Sequence, residues 1–354
     1  MSNNFCRFLS NGRSIQIENK ELVVKPCCWY KSTGIKIDDN FGKNFSTVSS
    51  ILTWTNGCKV CYDQEQIGQK SFRQSSFDII SDANDNSVIA LDINIDKTCN
   101  AACVMCGPNE STYWSKQLLK HKKIKTDLGV NVNSYISFIL KNFDLSNLRR
   151  IKFFGGEPLL TDTHVQFLKA IPYPNNVDIW YTSNASVMPN NETLDIWSKF
   201  HLVYFESSID GIGAQFDYIR WPLKWKKVET NLLQLKEICP VNVLFRINHT
   251  LNPFNIFYYD RLENWITNNL ITNRLGDETE VNVHPCWGAW GLEKTPVTLR
   301  NEIKKKYKKH LIIDMISSLP EDNSNSILDF VTTWDPIRQT DWKAIFPEIV
   351  DHFR

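Results

Sequence analysis

The loop Cys99-Asn100-Ala101-Ala102-Cys103-Val104-Met105-Cys106-Gly107 spaces three thiols as C-x3-C-x2-C. Three thiolates in that pattern can take three corners of a cubane iron–sulfur cluster, and with no fourth cysteine close by in sequence one iron keeps an open position. The bland use of such a motif is a structural zinc knuckle or a reduced thiol cluster, although zinc sites usually close with four ligands. A second set comprises Cys6, the pair Cys27-Cys28 after Pro26, and Cys58-Lys59-Val60-Cys61. Four thiolates from these positions would close a metal site fully, as a second cubane or as a zinc site. Around them lie short strand-like stretches (Ser14 to Ile17, Glu21 to Lys25) and turn residues (Asn11-Gly12, Asn56-Gly57), the texture of a small module that needs a metal to fold. Cys239 and Cys286 stand alone at element ends and read as small buried apolar groups.

The chain that must position these thiols has 354 residues, room for about two domains on a prior of roughly 150 residues each. Forty basic against thirty-nine acidic residues leave a formal charge of +1, so bulk charge calls for neither nucleic acid nor an anionic membrane as partner. No apolar run approaches the roughly 20 residues of a membrane span, and Met1 to Cys6 lacks the pattern of a secretion signal. The expectation is a cytoplasmic protein, in which ten cysteines are better metal ligands than disulfide partners.

A polar stretch from Asp78 to Ser87 marks a boundary, and from Val88 strand-like runs alternate with helix-like ones. Ile89, Leu91, Ile93 and Ile95 alternate with Asp92, Asn94 and Asp96, giving a strand with one apolar and one polar face. The cysteine loop follows it. Further strands are expected at Arg150–Phe154, Val177–Tyr181, Leu202–Ser207, Val241–Ile247 and Glu280–His284, with helices at Glu110–Lys122, Ser134–Asn142, Thr161–Ile171, Asn191–Phe200 and Trp225–Ile238. Polar residues crowd the strand ends: Gly155-Gly156-Glu157-Pro158, Thr182-Ser183-Asn184, and Ser208-Ile209-Asp210-Gly211 with Arg220 beyond. Such ends carry the chemistry of barrel folds, and glycines there let a ligand approach the backbone. Beyond Gly291 the pattern turns helical, over Val297–Ser318 and Ser324–Thr333, and a closing stretch with Trp342 and Phe346 caps the barrel. The run Lys304 to Lys309 reads as a solvated helix face, and His249 and His284 as structural histidines.

The C-x3-C-x2-C loop, followed about fifty residues later by Gly-Gly-Glu-Pro at the end of the next strand, resembles the radical S-adenosylmethionine (radical SAM) superfamily. The resemblance implies an α/β fold, a partial (β/α)6 TIM-like barrel over 88–290, with a cysteine-rich module at 1–87 and a helical extension at 291–354. It implies a [4Fe-4S] cluster on Cys99, Cys103 and Cys106 with S-adenosylmethionine on the open iron. Gly155, Gly156, Glu157 and Pro158 would meet the methionine amino group, Ser183, Asn184 and Ser208 hydroxyl groups, and Arg220 the carboxylate. Reductive cleavage, fed by an external electron donor, would give a 5′-deoxyadenosyl radical that removes a hydrogen atom from the substrate. Cys6, Cys27, Cys58 and Cys61, with Glu65, Gly68, Ser71 and Arg73, resemble the SPASM/twitch module, which usually follows the core and here precedes it. That likeness implies a second, auxiliary [4Fe-4S] cluster and a peptide or protein substrate, with Cys28 an alternative ligand to Cys27. Small-molecule chemistry and a non-catalytic, zinc-folded binding protein are the competing readings.

Overall fold

The computed structural model describes residues 6–18, 21–31, 34–36, 56–66, 70–79, 87–94, 97–126, 133–269, 279–308, 310–317, 319–320, 322 and 324–353. Gly68, Ile95, Asp96, Lys309 and most of the polar stretch between Asp78 and Ser87 lie outside them. Among the described residues nine strands form one sheet: β1 (Gly12–Glu18), β2 (Glu21–Lys25), β3 (Ile35–Lys36), β4 (Ala90–Asn94), β5 (Arg150–Phe153), β6 (Asp178–Ser183), β7 (Leu202–Ser208), β8 (Val243–Leu251) and β9 (Glu280–Pro285). Their order is β3-β2-β1-β4-β5-β6-β7-β8-β9. From β4 to β9 every neighbour is parallel and follows in chain order. Right-handed crossovers that always step the same way put their helices on one face and leave the other as the inside of a partial barrel.

The register explains which face is which. Leu91, Ile151, Ile179, Val203 and Val243 form one cross-strand row, and Ile93, Phe153, Tyr181, Phe205 and Phe245 a second; all are buried. The second row meets the helices, Phe153 against Phe167 and Trp197 against both Tyr181 and Phe205. Period-two alternation then turns the intervening residues inward. Asp92, Lys152, Trp180 and Tyr204 share one inner row, and Glu206 pairs in register with Arg246. Ion pairs tie this face together: Arg150 to Asp92 at 2.9 Å, Lys152 to Glu206 at 2.8 Å and Arg246 to Glu280 at 2.8 Å. Trp180 stacks on Tyr204 at 4.2 Å between ring centroids, with the Arg150 and Arg246 guanidinium groups over the outer faces of the pair.

The N-terminal segment enters the same sheet. β1 lies parallel to β4, with Gly12 opposite Ala90 and Gln16 opposite Asn94, and antiparallel to β2. At the other end of the chain, Trp342 and Phe346 are buried against Phe254, and Phe346 also meets Tyr218, so the closing stretch packs on the barrel as a cap. The helix expected over Val297–Ser318 is two helices, Val297–Tyr307 and Leu311–Ser317. The break falls in the lysine run, where Lys308 takes a left-handed φ of 50° and crowded like charges oppose helix continuation. Among the described residues no helix is long and apolar enough to cross a membrane.

Candidate active site

Helix Thr112–Lys122 fixes the cysteine loop from behind. Ser111 caps it, accepting from the Trp114 N–H at 3.2 Å, and donates its own hydroxyl to the Ala101 carbonyl at 2.6 Å. Three basic residues in the last turn complement the helix dipole, and Lys123 ends the helix at a φ of 57°. The loop has no regular structure, so its buried polar groups need other partners. They have them. Thr112 Oγ1 accepts from the Cys99 N–H, Trp114 Nε1 donates to the Cys103 carbonyl, and the Ala102 and Val104 N–H groups donate to the carbonyls of Trp221 and Ile219. Arg338 Nη2 donates to the Ala102 carbonyl at 2.8 Å.

Cys99, Cys103 and Cys106 are half-buried. Burial pushes the Cys99 and Cys106 thiols up, to about 11 and about 12, with a further rise from the charge of Cys103. Burial also raises Cys103, which Arg220 and Arg338 pull back. Three thiols that burial and mutual repulsion keep protonated, beside two guanidinium groups, are a donor set whose thiolate form a cationic iron–sulfur core would stabilise. Arg220 Nη1 stands 4.0 Å from the Cys103 sulfur, and its Nη2 pairs with the buried Asp210 at 2.6 Å. Burial lowers the Arg220 pKa, but Asp210 and the nearby thiolates outweigh it and leave the group raised.

The Gly-Gly-Glu-Pro turn leaves β5 beside this loop. Gly155 and Gly156 have φ of 83° and 53°, and a Cβ on Gly155 would sit 1.8 Å from Asn94 Oδ1, so both the conformation and the space require glycine. Glu157 is buried, and its N–H donates to the Thr98 carbonyl at 2.7 Å. Its carboxylate accepts from Ser183 Oγ at 2.8 Å, the Asn184 N–H at 2.6 Å and the Leu159 N–H at 3.2 Å. Burial raises its pKa against these bonds. Asn184 Nδ2 donates to Asn100 Oδ1 at 2.9 Å, and Asn100 Nδ2 donates to Ser186 Oγ at 2.8 Å. The cysteine loop, the β5 turn and the end of β6 therefore form one hydrogen-bonded edge. Ser208 ends β7 opposite Asn248, further along the same edge. Asn100, Asp210, Trp114 and Arg338 complete the arrangement; Asn100 and Asp210 lie in stretches that the sequence marks out, the cysteine loop and a polar strand end, whereas Trp114 and Arg338 carry no such signal.

The N-terminal cysteines meet in a second place. Cys6, Cys27, Cys58 and Cys61 line one pocket with Phe8, Pro26, Trp29 and Phe72. Burial raises Cys6 to about 11 and also raises Cys27 and Cys61, while backbone N–H groups of Phe8 and Leu9, of Trp29, and of Arg73 and Phe72 face these three sulfurs in turn and oppose the rise. Those N–H groups suit thiolates that bind metal. Glu65, bound to Arg73 at 2.6 Å and to Ser71 Oγ at 2.5 Å, joins helix Lys59–Gln66 to helix Phe72–Ile79 beside the pocket. Cys28 is not among the lining residues. Burial and the Asp92 carboxylate on the inner barrel face raise its thiol, a rise that Arg150 and Lys152 oppose. Among the described residues no three His, Cys, Asp or Glu side chains are grouped to share one metal ion, as a zinc site would need, whereas a cubane takes each thiolate on a separate iron. His249 is buried with Nδ1 2.7 Å from the Ile209 carbonyl oxygen, and burial lowers its pKa.

No family model matches the chain, and no curated protein matches it. Among solved structures it is similar to "Native anSMEcpe with bound AdoMet" at 15% identity, covering 66% of this chain and 63% of that one with a TM-score of 0.43. It is similar to Streptococcus suis SuiB bound to precursor peptide SuiA at 13% identity, covering 90% of this chain and 59% of that one with a TM-score of 0.39. The TYW1 structure with a lysine-pyruvate adduct gives 12% identity over 76% of this chain and 90% of that one, with a TM-score of 0.32. The chain thus spans less than two thirds of the length of the first two of these proteins.

Proposed function

We propose that this chain is a radical SAM enzyme with a catalytic [4Fe-4S] cluster on Cys99, Cys103 and Cys106, an auxiliary [4Fe-4S] cluster on Cys6, Cys27, Cys58 and Cys61, and a peptide or protein as substrate. The observation that carries the reading is the single hydrogen-bonded edge joining the three-thiol loop to the Gly-Gly-Glu-Pro turn and to Ser183 and Asn184. When bound, the cluster would relay an electron from an external donor to S-adenosylmethionine, yielding methionine and a 5′-deoxyadenosyl radical that takes hydrogen from the substrate. Gly155 and Gly156 keep their backbone open to the methionine end of the cofactor. Glu157 orients the Ser183 hydroxyl and the Asn184 backbone, and Asn184 in turn holds Asn100 inside the loop. Arg220 supplies positive charge beside Cys103. The inner face, with its paired charges and the Trp180–Tyr204 stack, offers amide-bearing substrates polar and aromatic partners away from bulk water.

Electron paramagnetic resonance on anaerobically reconstituted protein tests the reading. Addition of S-adenosylmethionine is expected to change the reduced cluster's signal, and Gly156→Val is expected to remove that response while keeping the cluster. An unchanged response in Gly156→Val would return the tetrapeptide to an ordinary turn. With Cys99, Cys103 and Cys106 all replaced by Ala, a reducible signal is expected to persist and to vanish on changing Cys58 and Cys61. Stoichiometric zinc without iron in that triple variant would contradict the auxiliary cluster.

A further inference from the structure

Arg338 is the last residue of the tail helix Ser326–Arg338, far in sequence from the cysteine loop, yet its side chain reaches that loop. The guanidinium is boxed by four rings, with centroids of Trp114, Trp221, Phe330 and Trp334 at 4.8, 5.0, 5.1 and 5.7 Å. Nη2 donates to the carbonyl of Ala102, between the first two cysteines. Nε and Nη1 are buried with no hydrogen-bond partner. One turn earlier Asp335 is already engaged by the Tyr218 hydroxyl, Thr340 Oγ1 and the Trp342 N–H. No carboxylate among the described residues forms an ion pair with Arg338, and burial lowers its pKa only to about 10, so it is cationic at neutral pH. A desolvated cation without an anion is costly, and aromatic faces offset only part of that cost. Through the Ala102 carbonyl the guanidinium is held next to Cys103 in the loop, so a cluster on that sulfur would set a negative charge beside it.

We propose that Arg338 is a positioning residue of the catalytic cluster: the tail helix holds the loop through the Ala102 carbonyl and sets a fixed positive charge beside the anionic cluster on Cys99, Cys103 and Cys106. This rests on the radical SAM reading above. A buried positive charge favours the more negative, reduced state, so its removal makes reduction harder. Arg338→Met keeps a long apolar stem in the aromatic box and removes the charge; Arg338→Lys keeps the charge without the planar fork.

Full-length reconstituted protein is titrated potentiometrically, following the resonance signal that triple replacement of Cys99, Cys103 and Cys106 removes, and iron release to a chelator is timed in the same samples. At a fixed potential Arg338→Met is expected to lower the reduced-to-oxidised ratio about tenfold, ~59 mV for a one-electron couple. Arg338→Lys is expected to keep the parent's ratio but to release iron faster, since the hold on the Ala102 carbonyl is weakened. Equal ratios in the parent and Arg338→Met would overturn the proposal, as would equal shifts in the Met and Lys variants, which would leave Arg338 a packing residue. If the Met variant takes up no iron, the Lys variant decides: a parent-like potential supports the assignment, and failure to load iron overturns it. A parent that binds no cluster would overturn the proposed function along with it, whereas a loaded parent with an indifferent Arg338 overturns this inference alone.

Discussion

Glu157 joins its own turn to the end of β6 through one carboxylate. Replacing it with Ala would leave the Asn184 and Leu159 N–H groups and the Ser183 hydroxyl without their acceptor, and a buried donor stripped of its partner costs about 1–3 kcal/mol. Glu157→Ala is therefore expected to lose about 2–4 kcal/mol in urea denaturation, with Ser183→Ala losing less. His164 provides a second test at this scale. It is buried, with Nδ1 2.7 Å from the Tyr181 hydroxyl, and burial lowers its pKa from 6.5 to about 4. The unfolded chain takes up the proton first, so this contribution to stability is fully present above pH 6.5 and is lost as the pH falls toward 4, by about 3 kcal/mol in all. His164→Phe is expected to flatten that part of the pH profile between 7 and 4.5. A decline as steep as the parent's would show that other groups carry it.

Elements were legible where one face alternates or a stripe repeats. The six barrel strands follow the alternation of apolar residues, and helix Trp225–Ile238 falls where Val228, Leu232 and Leu235 recur at helical spacing. Other elements gave weaker signals. Helix Gly213–Ile219 starts on a glycine with a φ of 56°, and β8 continues to Leu251 through His249 and Thr250, which look like the end of a strand. The cysteine loop announced its thiols. It gave no sign of Trp114 or Arg338, because those contacts come from the packing of helices onto the loop, for Arg338 across 236 residues. Packing also sets the prediction for this scale: Phe205→Ala, in the buried row between Tyr181 and Phe245, is expected to cost about 3–5 kcal/mol. A loss below about 1 kcal/mol, within the range of surface substitutions, would mean that the helix-facing row is not the core.

At the scale of the whole molecule, one sheet runs from β3 to β9 and carries the second cysteine pocket at the β1–β2 edge, in the segment that precedes the barrel. β1 pairs with β4, the strand that leads into the cysteine loop, and Cys27 and Cys28, adjacent in sequence, have different surroundings: one lines the pocket, the other lies near Asp92 on the inner face. The choice between the two thiols was open in the sequence because it depends on which way a turn after β2 rotates. The most direct test of the account is turnover of S-adenosylmethionine. Anaerobically reconstituted protein given a strong reductant is expected to release 5′-deoxyadenosine, and replacement of Cys99, Cys103 and Cys106 with Ala to abolish the release. A triple variant that turns over as fast as the parent would contradict the central assignment.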